Sequence, residues 1–102
     1  MTARDSHMEQ RIHVLPMGPH EFAVTVSEGA VTVNRKVTVS EQFVDDIGLW
    51  EPDEQQMVQE SIAFLLEREP VSSIPDVVDL GDLANDYDDY VIDLKTRMDV
   101  AT

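Results

Sequence analysis

The chain has 102 residues, of which 42% are hydrophobic and 27% charged, and this length and composition favour one domain with a single core. Twenty-one acidic residues against seven basic ones give a formal net charge of −14. This balance counts against a general nucleic-acid binder, which needs a basic surface, and against docking on anionic membranes. The lack of cysteine excludes disulfides, thiolate zinc sites and thiol chemistry.

The negative charge is concentrated in the second half of the chain. Residues 1–44 contain five acidic and four basic groups, whereas residues 45–102 contain sixteen acidic and three basic groups. Such a surface either keeps the protein soluble through repulsion or attracts a basic partner. If the protein has an electrostatic partner, we expect that partner to bind the second half.

The N-terminal residues 1–10 are polar and show no structural pattern. The run Ser6-His7-Met8 is typical of an expression-vector scar or an upstream start, so we predict a disordered or tag-derived tail. Residues 11–102 are predicted to form a single α+β domain. We find neither a leader pattern nor an apolar stretch that could span a bilayer, so we expect a cytoplasmic protein without membrane contact.

The first structured region is predicted to be β. Weak alternation over Arg11–Leu15 indicates a short edge strand, which Pro16, Gly18 and Pro19 should end. Between His20 and Val39, strong period-two alternation indicates a hairpin with one buried face.

The turn of this hairpin fixes its predicted register. A two-residue loop at Glu28-Gly29 pairs Val26 with Val31 and Val24 with Val33, which places all four valines on one face. Phe22 would then face Arg35, the one misfit in the apolar pattern, which a bulge or the Arg35 stem covering the sheet edge would accommodate.

Three helices are predicted after the hairpin. Ser40 is the predicted N-cap of a short first helix that Gly48 can end, and the second helix is predicted to end at Glu69-Pro70. After a connection over Val71–Val78, Asp79 can cap the third helix. The predicted order is therefore (β)ββααα, an α+β fold.

The third helix combines an apolar stripe with a regular row of carboxylates. The apolar residues recur at helical spacing over about five turns: Leu80, Leu83, Ala84, Tyr87, Val91, Leu94 and Met98. The row is the predicted acidic interaction face and comprises Asp82, Asp86, Asp89 and Asp93.

The sequence offers little support for catalysis or metal binding. The aspartate-rich run from Asp79 to Tyr90 lacks the order of a calcium loop, and His13, His20 and Glu21 are too few and too loosely placed for a transition-metal site. We find no nucleophile, phosphate-binding or zinc-protease motif. We therefore predict no enzyme, no cofactor and no metal site, and we assign the aromatic residues to the core.

The most distinctive string in the chain is Ser61–Ile74, SIAFLLEREPVSSI. Together with the upstream FAVTV and VTVS strings and the downstream Asp79-Leu80 and Tyr87, it resembles a small bacterial family of similar length with an S-x-x-FLLEREP-x-x-SI core. The resemblance covers roughly residues 22–90. It implies a compact cytoplasmic bacterial protein, and it implies no catalytic residues.

A second resemblance is architectural. Arg35–Val39, the Ser40-capped helix and the helix over Gln56–Glu67 are similar to a ribbon-helix-helix module. Such modules form dimers that pair one strand from each chain and read the major groove through outward side chains. Here the outward side chains would be those of Asn34, Lys36 and Thr38.

Three functional hypotheses follow, of which the third, a small enzyme or ligand binder, would need a pocket with convergent polar groups and has no candidate triad in the sequence. The preferred one is a non-enzymatic protein-interaction or regulatory module whose acidic helical face meets a basic partner protein. The alternative is a ribbon-helix-helix-like dimeric DNA-binding regulator or antitoxin-like protein, although the charge balance disfavours nucleic acid. The sequence leaves open whether the protein is a monomer or a homodimer.

Overall fold

The computed structural model describes residues 10–48 and 53–100, which form a four-stranded sheet with helices packed on one face. Within these residues the elements run in the order β1 Gln10–Gly18, β2 Glu21–Glu28, β3 Val31–Thr38, α1 Glu41–Ile47, α2 Glu54–Leu66, a 3-10 turn Val71–Ser73, β4 Val77–Asp79, α3 Leu80–Asp86 and α4 Tyr90–Val100.

The predicted α+β class is confirmed, but the predicted number of three helices is wrong because the third one is divided into α3 and α4. The predicted tail lies outside the described residues, except for Gln10, which begins β1. Trp50, one of the aromatic residues assigned to the core, also lies outside them.

The sheet has the strand order β1-β2-β3-β4, in which β1, β2 and β3 are antiparallel and β4 is parallel to β3. The predicted first strand is present, but it continues through Pro16 to Gly18 instead of ending at Pro16. Proline is tolerated there because β1 is an edge strand. The register shifts between Pro16 and Gly18, so the strand bends where it ends.

The predicted hairpin is present, but its predicted register is wrong by two residues. Glu28 pairs with Val31 and Val26 with Val33, so the two-residue loop is Gly29-Ala30. Gly29 has a φ of 61°. A glycine with positive φ at the first loop position matches the right-handed twist of the strands, which explains why the loop begins there.

The corrected register also changes the surroundings of Arg35. It pairs with Val24 on the core-facing side of the sheet, while Phe22 pairs with Val37, and no bulge interrupts these two strands. The Arg35 side chain is only 16% exposed, and its Nε donates a hydrogen bond to the Ile74 carbonyl oxygen at 2.7 Å. Arg35 therefore fastens the connection after α2 to the sheet.

The helices begin and end at residues of the types that favour capping positions. The Ser40 hydroxyl accepts from the Phe43 N–H at 3.1 Å, and Gly48 ends α1 in the left-handed region at φ 70°. The Asp53 carboxylate accepts from the Gln56 N–H at 3.2 Å, while Asp79 accepts from the N–H groups of the first turn of α3. These side chains satisfy N–H groups that the helices leave unpaired.

The chain departs from prediction most clearly after α2. Val77 and Val78, predicted to lie in a connection, belong to β4 and pair with β3. The helix that follows stops at Tyr87, whose φ of −127° and ψ of 113° are those of extended backbone. Asn and Asp are poor helix formers, and like charges spaced three or four residues apart repel, so this acidic segment favours a break.

Among the described residues, Ser61 is the only residue of the polar or charged types that is buried. Its hydroxyl donates to the Met57 carbonyl oxygen at 2.7 Å and lies 2.5 Å from the hydroxyl of Tyr90, which is also fully buried. Burial raises the pKa of Tyr90, so its hydroxyl stays protonated. This pair joins α2 to α4 inside the core.

We expect Ser61→Ala to destabilise the protein more than Tyr90→Phe. Tyr90→Phe should lower the free energy of unfolding by about 1 kcal/mol, because Ser61 keeps its hydrogen bond to Met57. Ser61→Ala should lower it by about 1–3 kcal/mol, because it leaves the buried Tyr90 hydroxyl without a hydrogen-bond partner. Urea unfolding of both variants and of the double variant measures the difference. The double variant should lose less free energy of unfolding than the two single variants together. A larger loss for Tyr90→Phe than for Ser61→Ala would contradict this explanation.

His20 connects the first turn to the starts of two helices. It has a φ of 61°, its carbonyl oxygen accepts from the Val39 N–H, and its ring nitrogens lie 3.0 Å from Glu54 Oε1 and 3.6 Å from Glu41 Oε2. The hydrogen bond to Glu54, followed by the charges of both carboxylates, raises the pKa of His20 above its ordinary 6.5. Protonation of this half-exposed ring therefore strengthens the bridge.

This bridge predicts a pH-dependent contribution to stability. Because the pKa of His20 is raised in the folded state, the contribution is complete below the unfolded value and is lost as the pH rises through the folded value. The destabilisation by His20→Asn should therefore be larger at about pH 6 than at about pH 9. Asparagine tolerates the positive φ, and His13→Asn is the matched control. An equal destabilisation by His20→Asn at both pH values would exclude the bridge.

Candidate functional site

The structure divides the predicted acidic interaction face into two parts. Asp82 and Asp86 lie on α3, Asp93 lies on α4, and Asp89 directly precedes α4. The extended residue Tyr87 separates the two pairs, so the four carboxylates do not form one row along a continuous helix.

The second pair of carboxylates is neutralised by arginines. Arg68 at the end of α2 contacts Asp89 at 2.7 Å, and Arg97 contacts Asp93 at 2.8 Å. Arg97 also lies 2.5 Å from Glu67, and this carboxylate, followed by Asp93, raises the pKa of Arg97 above its already high usual value. The contacts of Arg97 with Glu67 and of Arg68 with Asp89 join the residues after α2 to α4 and its start, whereas the contact of Arg97 with Asp93 lies within α4.

The first pair has no such compensation. Asp82 and Asp86 are exposed, and neither takes part in an ion pair within residues 10–48 and 53–100. Two further carboxylates lie near them. Asp79 accepts hydrogen bonds from the first turn of α3 and from the Thr38 hydroxyl, and Glu69 accepts from the Tyr87 hydroxyl at 2.6 Å.

These residues surround a cleft with a volume of about 190 Å³ between the end of α2, β4 and α3. We call it the acidic cleft. Its apolar walls include Leu65, Ile74, Val78 and Leu83, and its carboxylates are Glu69, Asp79, Asp82 and Asp86. The hydrogen bond to Glu69, followed by burial, raises the pKa of Tyr87, so this hydroxyl remains a donor beside the carboxylates.

Two of the four carboxylates of the acidic cleft, Asp79 and Glu69, were not predicted from the sequence as site residues. Asp79 was predicted as a helix cap, and Glu69 was assigned to the end of the second helix in preference to a role with Glu67 in acid–base chemistry. The Val77-Val78 pair immediately before Asp79 is a short β-branched run, which is the signal that could have placed Asp79 at the end of a strand. No local signal relates Glu69 to Asp82, because the two residues belong to separate parts of the chain that meet only around the folded cleft.

The alternative readout residues lie together on the outer face of β3. Asn34 accepts a hydrogen bond from Thr25 at 2.9 Å, Lys36 lies 3.8 Å from Glu21, and Thr38 donates to Asp79 at 2.9 Å. Their strand is paired on both sides, because Lys36–Thr38 also pairs with β4. Pairing of Arg35–Val39 with a second chain would therefore require that β4 leave β3.

In the described part of the chain, no group of three or more histidine and carboxylate side chains is arranged to hold a metal ion. The described helices are also too short or too polar for any of them to cross a membrane.

Comparison with known proteins gives no relative: no protein-family model, no curated protein and no solved structure matches the chain.

We expect the two halves of the acidic face to respond in opposite directions to the same loss of charge. Asp86→Asn should stabilise the protein by a few tenths of a kcal/mol, because it removes an unpaired carboxylate from the negative end of α3. Asp93→Asn should destabilise it by about 0.5–1 kcal/mol, because it removes a partner of Arg97.

Urea unfolding at low salt measures both effects, and high salt should shrink both because it screens exposed charges. Equal effects of the two variants would show that the division of the acidic face into paired and unpaired carboxylates has no energetic consequence.

Proposed function

We propose that the protein is a non-enzymatic protein-interaction module that binds a basic partner protein through the acidic cleft. The observation that carries the proposal is the contrast between the two halves of the acidic face. Asp89 and Asp93 are paired with Arg68 and Arg97, whereas Asp82 and Asp86 have no cationic partner among the described residues. A surface that keeps unpaired like charges together is suited to a partner that supplies the opposite charge.

The shape of the acidic cleft supports a lysine or arginine side chain as the group that is bound. Both side chains have an apolar stem and a cationic head, so they match an apolar wall with carboxylates around it. The wall residues Leu65, Val78 and Leu83 can contact the stem, while Asp82 and Asp86 lie where the charged head would remain partly hydrated.

The charge of the whole molecule supports the same class of partner. A net charge of −14 repels acidic proteins and nucleic acids and accelerates encounters with basic ones. Since this attraction is screened within about 10 Å at 0.1 M salt, binding should weaken as salt is added.

Capture on the immobilised protein tests this function. We expect wild-type protein to retain a basic partner from a cell lysate at low salt and to release it at high salt. Asp82→Asn/Asp86→Asn should weaken the affinity of the purified partner roughly 3- to 10-fold, as expected for the loss of two exposed charge pairs. Isothermal titration calorimetry with the purified partner measures this loss.

The matched control is Asp45→Asn/Asp88→Asn, which removes the same charge at two exposed residues outside the acidic cleft. It should retain nearly wild-type affinity. Equal losses in both double variants would assign binding to overall charge, and unchanged affinity in the Asp82→Asn/Asp86→Asn variant would place the partner elsewhere.

A further inference from the structure

Among the described residues the fourth strand pairs with β3 alone, so it leaves backbone groups unpaired at its other edge. Lys36 donates its N–H to the Asp76 carbonyl oxygen at 3.0 Å, and Lys36 is the register partner of Val77 in this parallel ladder. In a parallel ladder, the backbone groups of every second residue point to the same side of the strand. Since the Asp76 carbonyl points towards β3, the N–H and C=O of Val78 do so too. The N–H and C=O of Val77 therefore point away from β3.

This open edge borders the acidic cleft. β4 is the last strand in the sheet order, and its residues Val77, Val78 and Asp79 all line the cleft. The Val77 side chain is 58% exposed on the opposite face of the strand. A strand added beside β4 would thus have a hydrogen-bonding partner in the Val77 backbone.

The side chains of such an added strand would alternate between the two faces of the sheet. Those on the same face as Val78 would enter the acidic cleft, where Asp82 and Asp86 offer unpaired charge, and those on the other face would lie beside Val77. Charge complementarity therefore selects a cationic side chain for the position that enters the cleft.

We infer that the basic partner binds by β-augmentation: an extended segment of it pairs with β4 as a fifth strand and places a lysine or arginine side chain in the acidic cleft. This inference rests on the proposed function and adds the mode of recognition. Backbone hydrogen bonds supply affinity in this mode, and the alternate side-chain pocket supplies specificity.

A displayed library of random peptides of about eight residues, the length of a long strand, tests the inference. The wild-type protein is the target, and Asp82→Asn/Asp86→Asn is used to remove peptides that ignore the acidic cleft. We expect the recovered peptides to carry lysine or arginine at one position, flanked by residues that favour strands. Recovery of no such peptide would overturn both this inference and the binding of basic side chains by the cleft.

Methylation of backbone nitrogens in the tightest recovered peptide separates the two proposals. N-methylation of the amides that face β4 should weaken binding roughly tenfold, as expected for the loss of one or two net hydrogen bonds. Methylation of the alternate amides, which face away from β4, should leave affinity unchanged and is the matched control. Binding should also slow hydrogen exchange of the Val77 N–H.

If both methylated peptides bind as well as the parent peptide, β-augmentation is wrong while the acidic cleft remains the binding site for basic side chains. A second copy of this chain is the alternative occupant of the edge. A dimer of the protein alone in light scattering, dispersed by the recovered peptide, would assign the β4 edge to self-association and overturn the inference.

Discussion

The position of Tyr90 is the constraint on which the helical layer depends. Its ring lies 5.9 Å from that of Phe43 in α1 and 5.1 Å from that of Phe64 in α2, and its hydroxyl meets Ser61. A buried hydroxyl must be hydrogen-bonded, so α4 can pack against α2 only where Tyr90 reaches Ser61. This requirement fixes the position of α4 along α2. Because only two residues separate Tyr87 from Tyr90, it also determines where α3 ends.

The sheet shows which parts of the fold alternation can predict. Alternation identified the buried faces of β2 and β3, because a pattern with period two assigns each residue to one face. It could not distinguish the true register from one shifted by two residues, since both bury Phe22, Val24 and Val26. The turn decides the register, and the positive φ of Gly29 is favoured at the first position of the loop. β4 escaped prediction because the β-branched run of Val77 and Val78 is too short to distinguish a strand from a connection, so pairing with β3 defines this strand.

The acidic face shows the same limit for the site. Its four aspartates follow from the sequence, and the contact of Asp93 with Arg97 was predictable because the two are one helical turn apart. The contact of Asp89 with Arg68 joins residues distant in the chain, so it follows only from the packing of α4 on α2. The contacts of Asp89 and Asp93 neutralise one half of the face, whereas Asp82 and Asp86 have no ion pair among the described residues. One row of carboxylates in the sequence therefore forms two surfaces of different chemistry in the structure.

The two edges of the sheet differ in a way that supports the location of the site. Gln55 of α2 donates a side-chain hydrogen bond to the Val14 carbonyl oxygen at 2.9 Å, so Val14 directs its backbone groups to the open side of β1. By the same alternation Pro16 faces that side too, and it has no N–H to offer. Since a bulge follows at Gly18, β1 has three features that hinder the addition of a strand. At the other edge Val77 is exposed and lies beside the acidic cleft, so the edge left accessible is the one next to unpaired carboxylates.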